Sequence, residues 1–481
     1  GCAVSIYGDT IMIGSRGDDE VQPSSGSVYV FRYDGSNWGT SSGDAGIRWQ
    51  NQKLTASDPL HSAFFGWSVS ISGVTAVIGA LYDDDNGTNS GSAYVFHFDG
   101  TQWTQEAKLL AIDGSQQNQF GWSVSIDGDT AVIGLYRDDD NGLAIGSAYI
   151  FRYDGFNWGT DSGTDGIRNE NQKLTASDGT TYDWFGYSVS ISDDTVLIGA
   201  WGDDPSGSAY VFSKETGLGG PTWIEEAKLV AGDDSFNDHF GESVSISGDT
   251  AVIGAYRDDD NGTASGSAHI FRRVPNNGGF TWIEEAKLIA RDGAEEDRFG
   301  YSVSISGDTA LIGSPYDDDN GEKSGSAYVF RFDGSQWIDE GKLIARDGAV
   351  EDTFGHSVSI SGDTMLIGAH RDDDNGSASG SAWLYEVGIG EARSGGYMRD
   401  DLASWKTAWE FAKTKSAYAS EIILQEIIKR FGAVGDLSSS SDGFIDQAEH
   451  LYLDYFNGSV RINGSPTSTL ALIKGRKYKI H

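Results

Sequence analysis

The residues best suited to chemistry lie in five short acidic runs. Asp83-Asp84-Asp85-Asn86-Gly87, Asp138-Asp139-Asp140-Asn141-Gly142 and their equivalents at 258–262, 317–321 and 372–376 share one pattern, and 18–19 and 203–204 are reduced forms of it. Alternate carboxylates in a tight loop (Asp83 and Asp85, Asp138 and Asp140, Asp258 and Asp260, Asp317 and Asp319, Asp372 and Asp374) offer hard oxygen ligands, of which calcium takes six to eight. Asp, Asn and Gly also form turns by capping their own backbone. The runs therefore read either as calcium loops or as plain turns. Three overlap glycosylation triplets, at Asn86, Asn261 and Asn375, and two further triplets start at Asn457 and Asn463.

Other chemistry is thinly represented. The histidines, His61, His97, His239, His269, His356, His370, His450 and His481, are scattered with no two at ligand spacing. No nucleophile elbow, phosphate loop or zinc signature occurs. Cys2 is the sole cysteine, which excludes an internal disulfide and a cysteine-based zinc site.

The 481 residues carry 34 Lys plus Arg against 72 Asp plus Glu, a formal charge of −38. Such a surface repels nucleic acid and anionic lipid and attracts cations, calcium first among them. No stretch approaches the roughly 18 to 20 apolar residues of a membrane helix, and no signal segment opens the chain. The 65 glycines and 38% hydrophobic residues suit an all-β chain with many turns.

What positions the acidic runs is a repeat. Phe65-Gly66, Phe120-Gly121, Phe185-Gly186, Phe240-Gly241, Phe299-Gly300 and Phe354-Gly355 each open a version of FGWSVSIS, and a reduced first copy begins at Gly1. The glycines are spaced by 65, 55, 65, 55, 59 and 55 residues. Each copy continues through a TAVIGA-like run, an SGSAYVF run and a segment from a Trp to a KLIA-like run. These runs, rich in Val, Ile, Tyr and Phe and bounded by Gly, Asp, Asn or Ser, predict four strands per copy. A GDT-type hairpin joins strands one and two, and the acidic run joins two and three. Inserts of about ten residues at 39–48 and 159–168 account for the longer spacings. Small four-stranded sheets have two apolar faces that only neighbours can cover, so the pattern predicts a seven-bladed β-propeller of four-stranded antiparallel blades. In SVSIS, Val and Ile take one face and the serines the other, which suits inner strands near an axis. Only six Trp-to-KL strands occur for seven copies. Either a segment preceding Gly1 or the C-terminal region, with 468–473 the best candidate, supplies the seventh.

The paired Phe-Gly, the IGA, IGS and GSPY (313–316) segments and the SGSAYVF run resemble FG-GAP repeats, the blades of the integrin α-subunit head and of many secreted microbial and algal surface proteins. The resemblance covers residues 1–388. It implies a seven-bladed propeller, an extracellular or cell-surface setting, and a non-catalytic role in adhesion, recognition or assembly. Its partners would be proteins or glycans of the cell surface or matrix, or other copies in a larger surface structure. The alternative is a polysaccharide-binding lectin, or a polysaccharide-degrading enzyme, with its site at the central axis. Integrin-type members hold calcium on a DxDxDG-like hairpin between strands one and two. Here those hairpins are too short to wrap an ion, so any calcium would bind in the loops between strands two and three. Arg16-Gly17-Asp18 spells a tripeptide that integrins recognise, at a position where other copies read Tyr-Arg-Asp-Asp.

From residue 389 the repeat gives way to a mainly helical α+β extension, with helices expected at about 398–431 and 445–456 and strands, or a hairpin, at about 459–480. Within it, Ser438, Ser440, Asp442, Asp446 and Glu449 fall at the ligand positions of an EF-hand-like loop, with serines where the motif wants Asp. A serine-rich turn followed by an Asp-capped helix explains the same residues. The last residues alternate apolar with basic, and a basic terminal strand would suit an acidic propeller face.

Overall fold

The computed structural model describes residues 1–386 except Ser36, 42–46, Asn141, Asp165, Asp204, 218–219, 234–235, Asn277, Asn375 and 377–378, together with Leu453–Phe456, Ser459–Ile462 and Tyr478–Ile480. The chain divides into one unit of Gly1–Gly362, Leu366–Trp383 and Tyr478–His481 and a second of Asp363–Met365 and Leu384–Lys477.

Each repeat folds as one antiparallel blade. Blade four is representative: Ser188–Ser192, Thr195–Ala200, Ser208–Gly217 and Gly220–Leu229 pair in sequence order. The first hairpin of a blade is a two-residue turn, as the register Ser247↔Thr250 requires, and Gly248 at its first position has φ +55°. Seven such sheets follow one another. Their first strands, from Ala3–Tyr7 through Phe65–Ser72 to Phe354–Ser361, touch one another in succession, and the seventh touches the first. The ring is closed and these strands line its axis, as the repeat count predicts.

The apolar core lies between blades rather than within them. Val77, Val95 and Leu109 of blade two meet Phe120, Val124 and Ile133 of blade three, and the same pattern recurs at the one–two, three–four, four–five and five–six boundaries. The serines of SVSIS join the same boundaries by hydrogen bonds. Ile71 N–H donates to Ser5 Oγ, Ile126 to Ser70, Ile191 to Ser125, Ile246 to Ser190, Ile305 to Ser245, Ile360 to Ser304 and Ile6 to Ser359, all at 3.1–3.2 Å. Close backbone approach explains the invariant glycines. A Cβ on Gly79 of blade two would lie 2.0 Å from the carbonyl oxygen of Gly121 in blade three.

The inserts are structured. Thr160–Asp161 and Ile167–Asn169 form a hairpin whose second strand adds in parallel to the outer strand of blade two, Lys108 facing Ile167. The insert of blade one, Thr40–Ser41 and Ile47–Trp49, adds in the same way to the strand Tyr478–Ile480, which takes the fourth place in blade seven beside Ser381–Glu386. That place was expected for 468–473, which lies outside the described residues. Tyr478–Ile480 fills it, and its far side pairs in parallel with Ile47–Trp49, Lys479 facing Ile47.

In the second unit, Leu453–Phe456 and Ser459–Ile462 form a hairpin, with Phe456 paired to Ser459. This corrects the helix expected to run to residue 456. The two residues left between the strands are Asn457-Gly458, a strong hairpin signal that outweighs helical periodicity. The other expected helical residues and the EF-hand-like residues Ser438, Ser440, Asp442, Asp446 and Glu449 lie outside the described residues, as do Asn375, Asn457 and Asn463.

Candidate functional site: the acidic loops and the axial mouth

The first carboxylate of each acidic run turns inward. Asp83, Asp138, Asp258, Asp317 and Asp372 are 1–3% exposed, whereas the third residue of each run, such as Asp85 or Asp140, stays near the surface. Burial of an ionised carboxylate requires compensation, and the other strands of the blade supply it. Asp83 Oδ2 accepts from Ser92 Oγ at 2.7 Å and Tyr94 Oη at 2.6 Å, both on strand three.

The counter-charge is a lysine of strand four. Lys108 Nζ lies 2.9 Å from Asp83 and 2.7 Å from Asp58, and also bonds Asp85. Lys173 sits among Asp113, Asp138 and Asp140 at 2.6, 2.6 and 2.7 Å. Lys287 meets Asp258 and Asp260 at 2.6 Å each and also Asp233. Lys342 meets Asp292 at 3.1 Å and Asp317 and Asp319 at 2.5 Å each. Lys228 bridges Asp178 and Asp203, and Lys53 bridges Asp18 and Glu20. Asp58, Asp113, Asp178, Asp233 and Asp292 come from the preceding blade's connection, so the ammoniums of Lys108, Lys173, Lys228, Lys287 and Lys342 each join two blades, whereas that of Lys53 stays within blade one. Burial opposes ionisation of Asp113, but hydrogen bonds from Lys173 and Tyr149 outweigh it and hold that carboxyl below its ordinary value.

Three groups bring ligand atoms within 4.8 Å of one another: Asp113, Asp138 and Asp140; Asp233, Asp258 and His269; and Asp347, Asp372 and Asp374. In the first two a lysine ammonium stands among the carboxylates, where a cation would otherwise be required. In blade five, buried His269 replaces the tyrosine, with Nε2 3.0 Å from Ser267 Oγ and Nδ1 2.7 Å from Glu284 Oε1. Asp18 of the Arg-Gly-Asp triplet is bound by Ser27, Tyr29 and Lys53, as Asp83 is by Ser92, Tyr94 and Lys108. Asn86 and Asn261 use their side-chain amide nitrogens to donate to the carbonyls of Ala111 and Ala290.

The end of the axis that carries these loops is also ringed by aromatic side chains. The residue after each Phe-Gly is Trp67, Trp122, Tyr187, Glu242, Tyr301 or His356, with Cys2 in blade one. The residue that ends the second-strand turn is Arg16, Leu81, Tyr136, Trp201, Tyr256, Pro315 or His370. Their rings form a chain within and between blades, Trp67 to Trp122 at 4.8 Å between centroids, Trp122 to Tyr187 at 5.1 Å and Tyr187 to Trp201 at 5.8 Å, which His239 in the connection to blade five extends at 4.0 Å from Trp201. The series continues through Tyr256 and Tyr301 to His356 and His370, and Arg16 lies over Trp67 at 4.4 Å. All seven blades contribute. Just before each Phe-Gly, a non-glycine residue is held in the left-handed region: Phe64, Gln119, Trp184, His239, Arg298 and Thr353, with φ between 56° and 63°. Such strain persists only where the surrounding structure enforces it, and it collects at functional sites.

A family model described as the FG-GAP repeat matches residues 1–31, 49–96, 103–151, 169–212, 223–271, 282–330 and 337–385. The chain belongs to the FG-GAP repeat family. Among curated proteins none matches the sequence. Solved structures that resemble it include a proposed 6-phosphogluconolactonase of Bacteroides uniformis, at 10% identity and TM-score 0.48 over 79% of this chain and 92% of that one. Another is Sqt1 of Saccharomyces cerevisiae, at 11% identity and TM-score 0.42 over 82% and 83%.

In this FG-GAP protein the sequence located the acidic loops but not their counter-ions. The lysine of each KLIA-like run was the available signal, because it recurs at a fixed place in every outer strand. The axial mouth was missed for the opposite reason: its residues vary from repeat to repeat, so they escape a search for what repeats. Among the described residues no helix is long and apolar enough to cross a membrane.

Proposed function

We propose that this FG-GAP propeller is a non-catalytic recognition scaffold that works outside the cell in adhesion or surface assembly, and that it takes its ligand at the axial mouth. The observation that carries this reading is where the blades differ. SVSIS, TAVIGA and SGSAYVF recur nearly unchanged and build the frame, whereas the two axial positions read Cys, Trp, Trp, Tyr, Glu, Tyr, His and Arg, Leu, Tyr, Trp, Tyr, Pro, His. A frame needs sameness, and a specific site needs its symmetry broken. Half-buried rings such as Trp67, Trp122, Tyr187 and Tyr301 offer flat apolar faces. Burial pushes the Tyr187 and Tyr301 phenols up, so they remain neutral hydrogen-bonding groups. Such a surface suits a glycan or protein ligand of the cell surface or matrix, and the net charge of −38 argues against nucleic acid.

A lectin or enzyme acting at the axis is the second reading, favoured by the 2.8 Å contact between Thr353 Oγ1 and His370 Nδ1. Thr353 is 0% exposed, which keeps its hydroxyl from a substrate and leaves binding as the stronger reading. The test is to probe glycan and matrix-protein arrays with the intact chain and with Trp122→Ala. Binding that the substitution removes, without loss of folding, supports the mouth as the site. Binding that survives it, or turnover of a bound glycan, would overturn the reading.

A further inference from the structure

The outer-strand lysines are engaged by the acidic loops, but the arginines of the axial mouth are not. Arg16 lies over Trp67 at 4.4 Å, and Arg371 is exposed beside His370. Among the described residues neither guanidinium has an ion-pair partner. The carboxylates closest to them in sequence are held elsewhere: Asp18 by Lys53, Ser27 and Tyr29, and buried Asp372 by Ser381 Oγ at 2.5 Å.

The two arginines come from blades one and seven and converge on one place. The rings of His356 and His370 stand 4.0 Å apart there. Burial holds both histidines below their ordinary value, and the charges of Arg16 and Arg371 lower them further, which puts both guanidiniums near the pair. Nδ1 of His356 is buried without a hydrogen-bond partner among the described residues, the sign of a polar site that lacks a component. The position of Arg371 is held by Arg137 in blade three and Arg257 in blade five, also exposed and also without an ion pair among the described residues.

A guanidinium takes a carboxylate or a similar oxyanion through two parallel hydrogen bonds. On a chain of charge −38, unpaired arginines gathered at one mouth mark where an anion is drawn in rather than repelled. Beside them the half-buried indoles of Trp67 and Trp122, 4.8 Å apart, present flat apolar surface on which a sugar ring packs. We propose that the axial mouth takes an acidic glycan, whose carboxylate or sulfate groups pair with Arg16 and Arg371 while a sugar ring lies against the neighbouring indoles. This rests on the mouth being the ligand site, and it names the ligand's chemistry. Arginines on alternate blades suit a polymer that repeats its charge.

The test is titration calorimetry of the intact chain with oligogalacturonate, sulfated dextran and unmodified dextran of equal length. At least one anionic sugar should bind saturably, about tenfold or more tighter than dextran, with the two anionic arms separating carboxylate from sulfate. Arg16→Gln with Arg371→Gln should weaken that binding about tenfold or more, and Arg371→Gln alone about threefold if the double variant fails to fold. Arg346→Gln, at an exposed arginine in the connection between blades six and seven, should leave it unchanged. Dextran binding as tight as that of the anionic sugars, or anionic binding that the folded arginine variants leave unchanged, would overturn the proposal. The mouth would still stand as the site if Trp122→Ala removes that binding. Binding that survives Trp122→Ala would overturn the mouth reading and this one with it. A polyglutamate peptide that binds as tightly through the same arginines would assign them to an acidic protein, and no binding of any sugar at millimolar concentration would likewise overturn the proposal.

Discussion

Ile6 donates its backbone N–H to Ser359 Oγ at 3.1 Å, a bond between residues 353 apart in sequence that completes the circle of seven. Each central serine of SVSIS makes the equivalent bond, so a side chain too small to fill space is kept because it satisfies the next blade's backbone. At the closing boundary the repeated contact is joined by a second link, the pairing of Tyr478–Ile480 in blade seven with Ile47–Trp49 of the blade-one insert.

Replacing one such serine, for example Ser190→Ala, leaves the Ile246 N–H without its partner. The expected cost is about 1–3 kcal/mol, read as a lower urea midpoint with unchanged slope. An unaltered midpoint would show that water replaces the bond without cost.

Gly79→Ala should be far more damaging, because the added methyl would lie 2.0 Å from Gly121 O and 2.3 Å from Ser68 Oγ. We expect a loss of roughly 3 kcal/mol or more. Gly73→Ala is the control: nothing lies within 4 Å of its Cβ, and only its φ of +60° opposes the change, at about 1–2 kcal/mol. Equal melting temperatures for the two variants would refute the close-approach account.

Lys173→Met should uncover the carboxylates Asp113, Asp138 and Asp140. Removing one partner of a buried ion pair costs about 3–5 kcal/mol. Millimolar calcium should restore part of that loss in the variant and leave the parent's melting temperature unchanged. A parent that responds to calcium or to a chelator would show that a metal, and not only lysine, holds the loops.

Two groups give pH effects of opposite sign. Burial first, then the positive charges of Arg371 and Arg16, bring His370 down to about 4 from an ordinary 6.5, and His356 beside it is lowered as well. The unfolded chain therefore binds these protons more readily, and the stability they contribute is present above pH 6.5 and lost as pH falls toward 4. His370→Phe should flatten the fall in melting temperature across that window.

Asp297 runs the other way. Burial, then the charges of Asp317 and Asp318, push it up to about 6 from 3.8 despite a hydrogen bond from Ala294 N–H. Its contribution is present below the unfolded value and is lost as pH rises through 6. Asp297→Asn should raise the melting temperature at pH 7.5 and leave it unchanged at pH 3.5. A gain of equal size at both pH values would remove ionisation as the cause.

The sequence by itself determined the number of blades, the order of strands and the place of the acidic runs. Alternation along SVSIS and the continuous apolar runs TAVIGA and SAYVF are written in adjacent residues and recur from copy to copy, so local chemistry suffices to read them. What surrounds a buried carboxylate is decided by strands far apart: Lys108 meets Asp58 across 50 residues, and Trp67 meets Trp122 across 55. The roles of Lys108 as counter-ion, of Ile47-Arg48 as cover for Tyr478–Ile480 and of the aromatic mouth as a surface therefore appear only once the ring closes. Closure brings equivalent positions of neighbouring blades together, and no local pattern encodes which side chains then meet.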